Sequence, residues 1–364
     1  MTPDDHAHMA HALSLGQRGL GRCWPNPAVG CVIVNGTRIV GRGWTQAGGR
    51  PHAEVMALAQ AGPLAQCATA YVTLEPCAHH GQTPPCADAL IAAGIARVVT
   101  ALTDPDPRVS GKGHAMLRSA GIAVTEGVMT DQARAANAGF LKRVTRGLPL
   151  VTLKLATTLD GRIATQSGES RWITSPASRR TVHALRQSHD AVLIGAGTAR
   201  ADDPDLTVRE MGPTHQPIRI VIDPRLSHSP QSRLGQTAKA SPVWLCHTDQ
   251  APAVARAAWA DTGAILIECK ADAGKIDLTD ALQRLAARGL TRILCEGGAS
   301  LAAALIRARL VDDLIMFTAG KLIGCTGLAA LGPLIPAALA DLPTLTLIAQ
   351  RQIGPDIMTY WRML

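Results

Sequence analysis

The sequence predicts a two-domain α/β protein, and three observations carry that reading. Apolar stretches with strand character alternate with stretches of helical periodicity through both halves of the chain. At 364 residues the chain exceeds what one hydrophobic core usually organises. A helical segment ends at Gly147 and Pro149, within "RGLPL" (Arg146 to Leu150), and a new strand starts at once. The boundary is placed there, giving domains of residues 1–146 and 147–364.

Taken in order, Asp4 to Gly19 reads as a helix. "AVGCVIV" and "RIVGRGW" read as a hairpin about Asn35-Gly36, a strong short turn signal. Helices are expected from near His52, Cys86, Gly113 and Thr130, between the strands "AYVTL", "ARVVTAL" and "IAVTEG". The second half opens with "VTLKLATT" and continues through "AVLIGAG", "PIRIVID", "PVWLC", "AILIEC", "RILCEGG" and "LIMFTAG". Its helices fit Pro176 to Gln187, Leu278 to Arg288 and Ser300 to Arg309, the first capped by Ser175 with proline at its first position.

Composition excludes several classes. The net charge of +8 comes from basic residues spread without a run, which favours scattered phosphate contacts over a nucleic-acid stripe. Aromatic residues are only 3%, too few for a surface that stacks bases. The N-terminal "MTPDDHAHMA" is acidic and has no signal pattern, so a cytoplasmic location is expected. The longest uncharged run, Leu322 to Ala340, carries three glycines and two prolines and reads as a buried loop-and-turn segment, not a membrane span. Nine cysteines without regular spacing do not make a disulfide framework, and Cys23, Cys31, Cys67, Cys246, Cys269, Cys295 and Cys325 read mostly as buried thiols.

Two segments carry metal chemistry. "RPHAEVMAL" places His52 and Glu54 at a helix start, and "LEPCAHHGQTPPC" places Cys77 and Cys86 among three prolines. A catalytic zinc needs about three protein ligands and an open position, which His52, Cys77 and Cys86 supply, with Glu54 left over as an acid. The H-x-E half of the zinc nucleobase-deaminase pattern is present, but eight residues separate the cysteines where P-C-x-x-C has two. A structural four-ligand zinc, with His79 or His80 as the fourth, is the competing reading, and it leaves Glu54 without a role. In the second half no G-x-G-x-x-G follows a strand. Two glycine-bearing strand ends, "LIGAGTARADDPDLTVR" and "CEGGASL", could instead offer backbone amides to a pyrophosphate.

"HAE", "EPCAHHGQTPPC" and "PNPAVGCV" (Pro25 to Val32), followed in order by "KLATTLDGRIA", "SGESRWITS", "GAGTARADDPDLTVR" and "CEGGASL", resemble the bifunctional riboflavin-biosynthesis deaminase/reductases of the RibD family. The resemblance covers nearly the whole chain and resolves the long cysteine spacing. It implies a cytidine-deaminase-like three-layer domain followed by a dihydrofolate-reductase-like α/β domain, with Zn2+ and NADPH as cofactors. By it, His52, Cys77 and Cys86 are zinc ligands, Glu54 is the proton shuttle, and Asn26 and His79 line the pyrimidine pocket. It assigns Ala156, Trp172, Thr198, Asp202 and the turn Gly298, Ala299, Ser300, Leu301, Ala302, Ala303 and Ala304 to NADPH. It assigns Ser170, Arg186, Leu206, Arg209 and Glu296 to substrate. Arg186 and Arg209 suit a phosphate because guanidinium forks match its oxygens. Lys154 is a candidate catalytic residue that could polarise the opened sugar, with a buried ion pair to Glu296 as the structural alternative. Where the family often carries serine after "IRIVID", this chain has Pro224. The implied partner is a small phosphorylated pyrimidine, with neither nucleic acid nor membrane, and oligomeric state, homo-oligomer included, stays open.

Overall fold

The computed structural model describes residues 3–79, 84–107, 109–212, 215–335 and 338–364. The chain divides into two compact units, Met1–Leu148 and Pro149–Leu364. The first contains strands β1 (Gly30–Asn35), β2 (Arg38–Trp44), β3 (Thr69–Val72), β4 (Arg97–Thr100) and β5 (Ala123–Thr125). Its helices are α1 (Pro3–Gly16), α2 (Ala53–Ala61), α3 (Cys86–Ala92), α4 (Lys112–Ser119), α5 (Thr130–Ala136) and α6 (Ala138–Arg146). The sheet order is β2-β1-β3-β4-β5. β1 is antiparallel to both neighbours and β3, β4 and β5 run parallel.

The hairpin forms where the sequence places it: Asn35 pairs with Arg38, and Gly36 takes the left-handed conformation (φ +59) that the two-residue turn requires. β1 is an interior strand, flanked by β2 and β3, and its run Gly30–Val34 is buried throughout. Ile33, Leu90 and Leu117 are sealed in this core, each worth roughly 1.5–3 kcal/mol of transfer free energy. Glycines on β2 bring α2 unusually close. A Cβ on Gly43 would lie 2.1 Å from the Ala53 carbonyl oxygen, and one on Gly41 would lie 2.2 Å from that of Ala57. The start of α2 is thereby pressed onto the sheet.

The second unit contains β6 (Leu150–Thr158), β7 (Arg162–Ala164), α7 (Pro176–Gln187), β8 (Ala191–Gly195), α8 (Ala196–Asp202), β9 (Ile218–Ile222), α9 (Arg233–Gln236) and β10 (Val243–His247). It continues with α10 (Ala253–Asp261), β11 (Ile265–Glu268), β12 (Ala271–Asp272), β13 (Lys275–Ile276), α11 (Leu278–Ala287), β14 (Arg292–Cys295) and α12 (Ala299–Arg307). The last strands are β15 (Asp313–Ala319), β16 (Leu328–Ala329), β17 (Leu345–Ile353) and β18 (Asp356–Met363). Nine of them form one sheet in the order β11-β10-β9-β8-β14-β6-β15-β18-β17. It is parallel from β11 to β15 and ends in the antiparallel hairpin β17–β18. Ser175 caps α7 by accepting from the Ser178 amide, as its position before Pro176 predicts. In this sheet β14, β8 and β9 end side by side, the usual place for a ligand in an open α/β layer.

One expectation needs correction. The run 322–340 is not a buried segment: Leu322, Ile335 and Leu339 are exposed, and backbone bonds such as Ala330 N to Gly161 O and Gly332 N to Ala299 O hold the run instead of apolar burial. Pro336 lies outside the described residues. Most of the seven cysteines given a structural reading are buried, as expected, and Cys67 and Cys325 are exposed. No helix among the described residues is long and apolar enough to cross a membrane.

Candidate functional site

Two helix starts meet in the first unit. His52 is the N-cap of α2 and Cys86 is the first residue of α3, entered from Pro85. The extended conformation forced before and at these prolines ends the preceding segment and lets each helix begin at its ligand. His52 Nδ1 lies 3.2 Å from Cys86 Sγ and 3.7 Å from Cys77 Sγ. One donor atom from each of these three residues falls within 4.8 Å of the others, and among the described residues no fourth ligand joins them. His79 is therefore not part of the cluster, and His80 lies outside the described residues. One imidazole and two sulfurs are a donor set suited to zinc.

The backbone favours thiolate here. The Cys86 amide at the start of α3 donates to Cys77 Sγ at 3.2 Å. Its contact with the Cys86 side chain, together with His52 and that amide, brings the Cys77 thiol down to about 4, while the same contact and burial push Cys86 up. Glu54, the second residue of α2 and 4% exposed, also hydrogen-bonds to the Cys86 side chain. Burial, reinforced by the negative charge of Cys77, lifts its carboxyl to about 7, the range in which a carboxyl can both take and give a proton at neutral pH.

The walls of this site are built by packing. Asn26 Nδ2 donates to the Gly49 carbonyl at 2.9 Å and lies 3.4 Å from His52 Nε2. Gly49 sits at φ +83, and a Cβ there would come within 2.7 Å of the Asn26 amide. His79 Nδ1 is buried with no protein partner, a ring nitrogen that a bound polar molecule could satisfy. Glu75, two residues before Cys77, was not singled out from the sequence. Its buried carboxylate accepts the amides of Asp104, Gly111 and Gly113 at 2.9–3.1 Å and that of His114 at 3.3 Å. A Cβ on Gly113 would lie 2.0 Å from the Pro76 carbonyl oxygen, so the segment 111–114 closes directly onto the loop that carries Cys77. The one available signal was an acidic residue inside an otherwise apolar strand end.

In the second unit the expected residues separate into groups. β6 runs past the end of β14, with Leu153 paired to Cys295, so Lys154 stands level with Glu296. Their charged groups are 3.7 Å apart. Arg186 grips the same carboxylate with Nε to Oε1 at 2.6 Å and Nη2 to Oε2 at 3.0 Å, and donates Nη1 to the Thr207 carbonyl at 2.9 Å. Burial alone would raise the Glu296 carboxyl, but Arg186 and Lys154 outweigh it and hold the group at about 2. The Arg186 fork thus forms a buried ion pair with Glu296. Arg209 is different. Its side chain is 52% exposed and only loosely paired with Asp205 at 3.2 Å. Leu206 is a core side chain, 4% exposed, at a left-handed backbone position (φ +55), which leaves only its backbone to face a ligand. Ser170 is half-buried in the segment before Trp172.

The glycine turn forms as expected but is shorter. Gly298 is the N-cap of α12 with no side-chain cap, and its amide donates to Thr198 Oγ1 at 3.0 Å. A Cβ on Gly297 would lie 2.7 Å from Leu301 Cδ2, so a larger residue there would make the Leu301 side chain shift. Ala299, Ser300 and Leu301 form the first turn, whose amides point along the axis without intrahelical acceptors. Ala302 and Ala303 are 0% and 1% exposed, the Ala302 amide bonds to Gly298 O, and Ala304 lies beyond them in the helix. The side chains of Ala302 and Ala303 pack the core, and Ala304 is half-buried. Ala156 is half-buried on β6 opposite Phe317. Trp172 is 60% exposed, with the Arg179 guanidinium 4.3 Å from its ring centroid, and Arg171 Nη2 donates to the Asp202 carbonyl at 3.1 Å. No linear spacing announces the stacking of Arg179, which the turn into α7 creates. Pro224 gives its carbonyl to both the amide and the hydroxyl of Thr248, at 3.0 and 2.9 Å.

Comparison with known proteins agrees with this division. Residues 2–102 match the cytidine and deoxycytidylate deaminase zinc-binding region, and residues 149–359 match the RibD C-terminal domain. Riboflavin biosynthesis protein RibD of Escherichia coli is 45% identical over 367 residues, spanning 97% of this chain and 98% of that protein. The solved structure of RibD from Acinetobacter baumannii is similar at a TM-score of 0.89 and 39% identity, covering 99% of each chain. So is a Thermotoga maritima diaminohydroxyphosphoribosylaminopyrimidine deaminase/5-amino-6-(5-phosphoribosylamino)uracil reductase, with a TM-score of 0.86, 32% identity and 99% of each chain covered. With both family regions matched and its whole length aligned to such relatives, the chain belongs to the RibD family of riboflavin-biosynthesis proteins.

Proposed function

We propose that each unit carries one of two consecutive reactions. The first hydrolytically deaminates 2,5-diamino-6-(5-phosphoribosylamino)pyrimidin-4(3H)-one. The second reduces the ribosyl group of 5-amino-6-(5-phosphoribosylamino)uracil to ribityl with NADPH. The observation that carries the reading is the meeting of His52, Cys77 and Cys86 beside a buried carboxyl poised near neutrality. Zinc held by those three residues supplies Lewis acidity that makes water a nucleophile near pH 7. Glu54 takes a proton from the attacking water and returns it to the leaving nitrogen, so that the ring amine departs as ammonia and a carbonyl remains. Asn26 and His79 orient the ring.

In the second unit, the first turn of α12 and the Thr198 hydroxyl suit the cofactor pyrophosphate, and exposed Trp172 suits its nicotinamide half. NADPH bound there supplies the hydride. Lys154, oriented by Glu296, donates a hydrogen bond to the opened sugar where negative charge develops. Arg209 is the freer cation for the substrate phosphate. The compartment we propose is the cytoplasm.

The test is ammonia release from the diaminopyrimidine, with and without NADPH, in the native protein and in Glu54→Gln and Lys154→Ala. The first variant should still reduce a supplied aminouracil, and the second should still deaminate. Mixing them should restore the full conversion. Loss of reduction in Glu54→Gln would contradict two separate sites.

A further inference from the structure

Between β7 and α7 the chain runs through residues 165–175, a segment with neither strand nor helix, and on it stand Ser170 and Trp172. Both of its ends are fixed. The Gly168 amide bonds back to the Thr165 carbonyl at 3.0 Å, and the Ser175 amide donates to the Asp356 carboxylate at 2.7 Å. Three cations from three places hold the middle. Arg171 Nη2 donates to the Asp202 carbonyl at the end of α8, Arg179 Nη1 on α7 donates to the Thr174 carbonyl at 2.8 Å, and Lys321 Nζ donates to the Trp172 carbonyl at 2.6 Å.

Lys321 is exposed and stands two residues past the end of β15. A lysine in such a place ordinarily extends its ammonium into water. Here the ammonium is directed at a carbonyl 149 residues away in sequence. The backbone beneath it is held firmly. The Lys321 carbonyl accepts the Leu159 amide at 2.9 Å, and the Asp160 carboxylate accepts the Ile323 amide at 3.2 Å and the Gly324 amide at 2.7 Å. Ala319 pairs with Thr158, so these contacts tie the end of β15 to the turn that follows β6. β6, β14 and β15 run parallel, which puts that turn at the same edge of the sheet as Glu296, the residue after β14. A post anchored on the sheet thus reaches the segment through one charged hydrogen bond.

We propose that Lys321 is a positioning residue of the reductase: through the Trp172 carbonyl it keeps the 170–174 segment closed on this edge of the sheet before NADPH arrives, and Asp160 keeps Lys321 in place. The inference rests on the reading of Trp172 as a cofactor contact. Without the ammonium the closed arrangement is populated for only a fraction of the time, and the apparent affinity falls by that fraction while the bound complex is unchanged. Lys321→Met in the full chain should therefore raise KM and the calorimetric Kd for NADPH roughly three- to tenfold, the scale of one hydrogen bond, with kcat held. Lys321→Arg still offers an N–H to the carbonyl and should recover most of the loss.

Because Lys321 is exposed, the unfolding midpoint and ammonia release should stay native, which separates positioning from support of the fold. Trypsin should cut after Arg171 faster in Lys321→Met than in the native protein, and saturating NADPH should remove the difference. Asp160→Asn should act in the same direction by a smaller factor. A native KM for NADPH in Lys321→Met, or a kcat that falls while KM is unchanged, overturns the proposal. Trp172→Ala tells that failure from failure of the underlying reading. A KM raised in Trp172→Ala but not in Lys321→Met ends the positioning role alone, whereas a native KM in both removes the cofactor reading and the proposal with it.

Discussion

The deaminase site and the reductase site differ in what their residue types can mean. In the first unit a histidine, two cysteines and a glutamate converge at two helix starts, and few structural roles would need that set together. In the second, arginine, lysine and glutamate meet at strand ends, and the same three side chains serve equally as an ion pair or as a substrate clamp. Composition and spacing announce the first arrangement; only coordinates separate the alternatives in the second.

The comparison is sharpest when the metal site is broken. His52→Ala should lose zinc and lower deamination by at least about 10³-fold, with reduction of supplied aminouracil intact, because one ligand of three cannot be replaced by its neighbours. Glu54→Gln should keep zinc and lose roughly 10²–10⁴-fold in deamination. Metal content measured beside ammonia release decides both, and zinc lost from Glu54→Gln would make that residue a ligand.

Next in size is Arg186→Ala. Removing the guanidinium leaves the Glu296 carboxylate buried with Lys154 3.7 Å away, and breaking such a pair costs about 3–5 kcal/mol. Denaturant unfolding of the reductase half should show that loss. A variant of native stability whose KM for the phosphorylated substrate rises would restore the phosphate-clamp reading and erase the contrast between the two sites.

How far the sequence could be read follows from the same distinction. The strands β6, β8, β9, β10, β14 and β15 and the helices α7, α11 and α12 follow from periodicity, caps and glycine stops, which act locally. The hairpin β17–β18 was missed because its first strand is mostly exposed and lacks a buried alternate face. Glu75 was passed over because its partners, the amides of residues 104 and 111–114, are distant in sequence and carry no side-chain signature. The burial of Ala302 and Ala303 was not legible, because a motif carries no burial information and the helix turns them into the core.

A smaller effect concerns acid stability. Glu296 is held at about 2, below its ordinary 4.5, so the folded state releases its proton more readily than the unfolded chain. The stabilisation is present above about pH 4.5 and is lost as pH falls toward 2, on the order of 3 kcal/mol in all. Glu296→Gln should be less stable at pH 7 and should show a flatter unfolding free energy across that acid range. An unchanged slope would mean that the ion pair contributes no net linkage.

The smallest predicted change tests the freer arginine. Arg209 pairs with Asp205 across exposed surface, 52% and 34% accessible, where such bridges contribute at most about 1 kcal/mol. Arg209→Ala should therefore leave the unfolding midpoint nearly unchanged. Its guanidinium is not consumed by a buried acid, so it can spend its donors on the substrate phosphate, worth roughly 1.5–3 kcal/mol. KM for the phosphorylated aminouracil should rise by about tenfold or more while kcat holds, because the phosphate is bound alike in ground and transition states. The dephosphorylated compound should show no difference between variant and native enzyme. If KM for the phosphorylated substrate stays the same, Arg209 is a surface residue. If stability falls as far as in Arg186→Ala, the two arginines are equivalent after all.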